Sequence, residues 1–121
     1  MLEKIYDTEA MLQTAIVNYI KLKYPKVLLC ASLGGLFLNS PFQRRKGKAT
    51  GYSRGFPDLF IYEPNDKYNG LAIELKLDKR CYASKFQLDW VRDLNKRGYY
   101  AEVCKGYNDT INLIDKYLNN E

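Results

Sequence analysis

Asp58, Glu74 and Lys76 are the residues of this chain whose types and spacing most clearly suit chemistry. Two apolar-rich runs, 56–62 and 71–77, flank the turn-forming stretch Glu63-Pro-Asn-Asp-Lys-Tyr-Asn-Gly70, which reads as a β-hairpin. A hairpin symmetric about Asp66 pairs Tyr62 with Gly70, Phe60 with Ala72 and Asp58 with Glu74. That register sets two carboxylates opposite each other on one face, with Cβ atoms about 5 Å apart. Like charges so placed destabilise a sheet, and a divalent cation held by both would offset the repulsion. Carboxylate oxygens are hard ligands suited to Mg²⁺ or Mn²⁺, and the Leu75 backbone carbonyl is a further candidate ligand. Lys76 lies on the same face as Glu74. It can position a water or stabilise charge growing on phosphorus, while the metal lowers the pKa of bound water. Spacing alone is weak support. Glu74 and Lys76 could equally form a solvated strand face with a weak ion pair.

Composition narrows the alternatives. The 121 residues include no histidine, which removes Ser-His-Asp and Cys-His catalysis and imidazole-based zinc sites. The formal charge of +5 favours a polyanionic partner, most simply nucleic acid. The composition, 46% hydrophobic and 27% charged, is that of an ordinary globular chain, and the length suits one domain, 1–121. No apolar run reaches membrane-span length, and the N-terminus does not read as a signal peptide. Cys30, Cys81 and Cys104 are odd in number and lack C-x-x-C spacing, so a reducing, cytoplasmic setting is expected. Nothing in the chain calls for an organic cofactor.

The elements that must position these residues follow from periodicity and punctuation. Residues 8–23 read as a helix capped by Asp7 or Thr8, with Leu12, Ala15, Ile16, Tyr19, Ile20 and Leu22 as its stripe and Pro25 beyond it. Glu9, Gln13, Ile16 and Ile20 share one helix face. Residues 27–31 form a short apolar run, expected as a buried strand. Residues 32–54 have no clean period and are expected as a long functional loop with room for a short element. Ser84 opens a second helix reaching about Arg97, with Gly98 as its stop. Tyr99–Cys104 is a strand, and Asn108 or Asp109 caps a last helix striped by Ile111, Ile114, Tyr117 and Leu118. The order α-β-β-β-α-β-α predicts an α/β domain with a small mixed sheet flanked by helices.

The run Gly55-Phe-Pro-Asp58 puts a glycine and a proline immediately before the first carboxylate, so a stiff bend aims Asp58. Together, Gly55-Phe-Pro-Asp-Leu-Phe-Ile61, Leu71-Ala-Ile-Glu-Leu-Lys76, Ser84-Lys-Phe-Gln87 and Gly98-Tyr-Tyr-Ala-Glu-Val resemble the VRR-NUC family of the PD-(D/E)xK nuclease superfamily. The resemblance runs over nearly the whole chain and is weakest in 32–54. It implies a restriction-endonuclease-like core and a metal-dependent nuclease, with Asp58 and Glu74 as metal ligands and Lys76 as the catalytic lysine. It further implies a helix acid, which Glu9 matches best; otherwise Glu9 merely complements the helix dipole.

Gln87 has two readings. It closes a Ser84-x-x-Gln87 capping box, or, by the resemblance, reaches the active site. Arg44, Arg45, Lys46, Lys48 and Arg54, immediately before the first catalytic strand, suit DNA phosphate contact, with Phe42 and Tyr52 as stacking surfaces. Lys79, Arg80 and Lys85 form a second basic cluster. Single-domain relatives in this family resemble viral or phage proteins that dimerise and cut branched DNA, including four-way (Holliday) junctions, leaving 5′-phosphate and 3′-hydroxyl ends. The expected function is therefore cleavage of branched DNA by a homodimer inside a bacterial or phage-infected cell. The rivals are a sequence-reading restriction-like nuclease and a non-catalytic DNA-binding module.

Overall fold

The computed structural model describes residues 6–32, 41–51 and 53–120. Their elements are α1 (Glu9–Lys23), β1 (Leu29–Ala31), α2 (Pro41–Ala49), β2 (Leu59–Ile61), β3 (Leu71–Lys76), α3 (Lys85–Asn95), β4 (Tyr100–Lys105) and α4 (Tyr107–Leu118). The strands form one sheet in the order β1-β2-β3-β4, antiparallel up to β3 and parallel between β3 and β4. This is the mixed α/β core expected from the sequence.

Each boundary has a local cause. Thr8 caps α1 by accepting from the Met11 amide at 3.1 Å. Leu12, Ile16 and Ile20, at helical spacing, are fully buried against the sheet. Leu22, expected in that stripe, is instead 85% exposed. Six residues beyond Ile16 it falls on the opposite side of the helix. α3 stops before Gly98, whose φ of +86° suits glycine.

The two faces of the sheet are covered unequally. Leu59, Ile61, Leu71, Ile73 and Leu75 pack with the stripes of α1 and α4, including Ile114 and Tyr117. Removing one such fully buried leucine side chain typically costs about 2–5 kcal/mol. On the other face a smaller cluster of Ala72, Leu94 and Ala101, with Phe60, Trp90, Val91 and Tyr99 against it, holds α3. Strand alternation assigns Asp58, Glu74 and Lys76 to the α3 side, beyond this thin cluster.

Two expectations are corrected, and one is filled in. The short element for which 32–54 left room is a helix, Pro41–Ala49. Pro41 occupies the first helical position, where its missing N–H costs nothing. β1 is an edge strand with Cys30 exposed, not a buried strand. The cap of α4 is Gly106, not Asn108 or Asp109; the Asp109 carboxylate accepts instead from the Lys105 amide at 3.1 Å.

Candidate functional site

The hairpin forms in the expected register: Leu59 pairs with Ile73, Phe60 with Ala72 and Ile61 with Leu71. Continuing that register by one step sets Asp58 opposite Glu74. Asp58 is pinned on both sides. Its Oδ2 accepts from the Leu75 amide at 2.8 Å, and its backbone carbonyl accepts from the Ser32 amide at 2.7 Å. Gln13 of α1 donates to the Ser32 carbonyl at 3.0 Å, so one helix helps place the edge on which Asp58 sits.

Gly55 explains the bend before Asp58. Its φ is +86°, and a Cβ there would lie 2.6 Å from the Phe86 carbonyl carbon and 2.8 Å from the Gln87 amide nitrogen. The chain passes over the first turn of α3 at a distance only glycine permits. Pro57, fixed in φ, is buried one residue before the carboxylate.

Glu74 is 2% exposed, and its Oε2 is buried without a hydrogen-bond partner. Burial, and next the charge of Asp58, push its carboxyl up to about 9. Asp58 is also raised, by burial, with the Leu75 amide and Lys76 opposing the shift. Taking up a proton and sharing it with Asp58 relieves the pair, and a cation would do the same with more charge. Lys76 Nζ lies 3.9 Å from Glu74 Oε1 and 3.9 Å from Glu9 Oε1. The lysine side chain is only 12% exposed, so two carboxylates and the surrounding protein hold its ammonium in place.

The other expected residues divide. Glu9 is half-exposed and faces Lys76. Among the described residues, no three His, Cys, Asp or Glu side chains gather as a metal-holding cluster. The expected ligand trio of Glu9, Asp58 and Glu74 is therefore not closed, while the Asp58–Glu74 pair is in place. Leu75 meets Asp58 through its amide. Gln87 is in the capping box: its Oε1 accepts from the Ser84 amide at 2.8 Å, and its own amide donates to Ser84 Oγ at 3.2 Å.

Arg45 and Lys46 are exposed on α2. The side chains of Arg44 and Lys48 and the whole of Tyr52 lie outside the described residues. Arg54 is anchored more firmly than a loop cation would be. Its guanidinium stands 4.4 Å from the Phe86 ring centroid, and its carbonyl accepts from Trp90 Nε1 at 3.1 Å. That ties the basic segment to α3 beside the approach to Asp58. Lys105 was not among the sequence-derived candidates, yet it pairs directly with Lys76 across the parallel ladder. Equal counting from Gly70 and Gly98 would have set Lys76 opposite Cys104, so only the register of the folded sheet shows it.

Pinned carboxylates, an under-satisfied buried oxygen and a fixed lysine suit hydrolysis of a phosphodiester with a hard divalent cation. No described helix is long and apolar enough to cross a membrane. Among curated proteins, none matches this chain. A solved structure described as a VRR_NUC domain protein superposes with a TM-score of 0.79 at 32% identity, covering 93% of this chain and 88% of its own. Residues 2–108 match the VRR-NUC domain. The chain belongs to the VRR-NUC family, within the PD-(D/E)xK-like nuclease superfamily.

Proposed function

We propose that this protein is a Mg²⁺- or Mn²⁺-dependent endonuclease that hydrolyses DNA phosphodiesters at branched structures such as four-way junctions, acting as a homodimer. The observation that carries the reading is the facing Asp58–Glu74 pair, with a buried Glu74 oxygen lacking a hydrogen-bond partner, beside Lys76. A non-catalytic module gains nothing from setting two carboxylates face to face with one of them fully buried. The donor set fits a hard cation: Asp58 and Glu74 would hold it, with Glu9 and the Leu75 carbonyl as outer candidates. When bound, such a cation supplies a lowered water pKa and polarises the phosphoryl group.

The chain's own groups do the rest. The Leu75 amide fixes the Asp58 carboxylate. Lys76, steadied by Glu74 and Glu9, orients the attacking water or meets the charge that builds on phosphorus. Gln87 stands beside the tight Gly55 crossing and could leave the cap to contact the water. Arg45, Lys46 and Arg54, with Arg44 and Lys48, supply phosphate contacts that give affinity without sequence preference. A two-fold pair would present two sites to the two equivalent strands of a junction.

The test is a cleavage panel of duplex, flap, splayed-arm and four-way-junction DNA with Mg²⁺ or Mn²⁺, together with sedimentation at micromolar concentration. Metal-dependent cutting strongest on the junction, by a dimer, is expected. Cutting confined to one duplex sequence would favour the restriction-like reading, and binding without cutting on any substrate would favour the non-catalytic module.

A further inference from the structure

The parallel ladder sets Lys105 of β4 opposite Lys76 of β3. Paired residues of parallel strands project to the same face, on strands about 4.8 Å apart. Lys105 is thus the lateral neighbour of the lysine proposed to act at the scissile phosphate. The Gly106 amide donates to the Lys76 carbonyl at 3.0 Å, fixing the two strand ends together. The Lys105 ammonium lies 4.1 Å from the Tyr82 ring centroid, and Tyr82 is 78% exposed.

Tyr82 follows a hydrogen-bonded turn at 78–81. Asp78 Oδ1 accepts from the Arg80 amide at 2.9 Å, and its backbone carbonyl accepts from the Cys81 amide at 3.1 Å. The Arg80 guanidinium closes on the same carboxylate at 2.7 Å. The chain just beyond this turn presents a large aromatic ring to solvent six residues after Lys76, with an ammonium against it.

We infer that Tyr82 and Lys105 form a nucleotide subsite beside the scissile phosphate, where an unpaired base stacks on the tyrosine ring and Lys105 meets an adjacent phosphate. Every base offers a π-face, so the contact tolerates any sequence. A base inside an intact duplex is already stacked on both sides and cannot offer its face to a protein ring. The subsite selects DNA that is unpaired next to the cut, which a branch point, flap or gap provides and continuous duplex does not. It rests on the nuclease reading for its location and gives a small chain a way to prefer branches.

The experiment measures binding with Ca²⁺ in place of Mg²⁺, so that turnover does not enter. The probes are a duplex carrying one unpaired 2-aminopurine and the same duplex fully paired. Tyr82→Leu should weaken binding of the first by about five- to 150-fold, the range for one base stacked on an aromatic ring. It should leave the paired duplex within about twofold. Tyr82→Phe should behave as wild type, and 2-aminopurine fluorescence should be quenched by wild type and Tyr82→Phe but not by Tyr82→Leu. Lys105→Gln should weaken the first probe and reduce its salt dependence. Equal weakening on both probes, or none, would overturn the subsite. Cleavage is scored separately. A protein that cuts branched DNA normally with Tyr82→Leu keeps the nuclease reading and loses this one, whereas base-selective binding in a protein that cuts nothing does the reverse.

Discussion

Two carboxylate sites in this molecule, one partly exposed and one buried at Glu74, are built on opposite principles. Asp115 of α4 accepts from Tyr24 at 2.6 Å and Tyr19 at 2.7 Å, and pairs with Lys23 at 3.2 Å. Burial alone would raise its pKa, but these three donors outweigh burial and hold it below the ordinary carboxylate range. Asp58 and Glu74 have the reverse arrangement. They face each other, Glu74 Oε2 has no partner, and Glu74 is pushed up to about 9. The first site latches α1 and the segment after it to α4. The second holds a deficit that a bound cation would fill. The two differ in burial as well: the Asp115 side chain is 27% exposed and Glu74 only 2%, so the deficit arises where a carboxylate is both buried and short of donors.

The contrast can be broken most sharply through activity. Lys76→Ala should lower the cleavage rate by at least about a hundredfold, as for removal of one transition-state donor, while DNA binding changes little. Asp115→Ala should leave cleavage near wild type. Measuring both in single-turnover assays separates the two sites; comparable losses would erase the distinction.

Stability should show the opposite order. Asp115→Ala removes hydrogen bonds to a charged acceptor and strands two tyrosine hydroxyls, at a cost of about 2 kcal/mol in denaturant unfolding. Glu74→Gln should cost less, or stabilise the metal-free protein as pH rises, because an amide of the same shape removes the cost of ionising a buried carboxyl whose Oε2 lacks a hydrogen-bond partner.

The pH dependence sharpens the comparison further. Glu74 titrates higher in the folded chain, about 9, than its ordinary value of 4.5. In chelator, its contribution to stability is therefore fully present below about pH 4.5. It is lost as pH rises towards 9, at no more than about 1.4 kcal/mol per pH unit. Asp115, shifted downward, contributes above its unfolded value near 3.8 and loses that contribution as pH falls through its lower folded value. Unfolding of wild type and Glu74→Gln between pH 5 and 9 should show a decline in the first that is flattened in the second.

Much of this architecture was legible in the sequence, for physical reasons. The Asp58–Glu74 register followed from turn chemistry at 63–70 and period-two alternation, since a one-residue slip would have put Leu59 and Ile61 in solvent. The N-cap of α1, the stop at Gly98 and the conformation of Gly55 followed from residue-specific backbone preferences. What stayed hidden depended on tertiary context. α2 carries no apolar stripe, and its described side chains are exposed, so periodicity had nothing to register. The pairing of Lys76 with Lys105 is set by a crossover through α3, which local pattern does not encode. Gln87 carried two compatible signals, and the capping box is the one realised. Glu9, expected as the helix acid of the metal site, stands against Lys76 instead, without joining the carboxylate pair in a cluster among the described residues.

The central claim is that the Asp58–Glu74 deficit is a metal site. Calorimetric titration of the wild-type protein with Mn²⁺ tests it most directly, with Asp58→Asn and Asp115→Asn alongside. The expected result is saturable binding by wild type and Asp115→Asn, abolished in Asp58→Asn. Unchanged Mn²⁺ affinity in Asp58→Asn would contradict it and place any metal elsewhere.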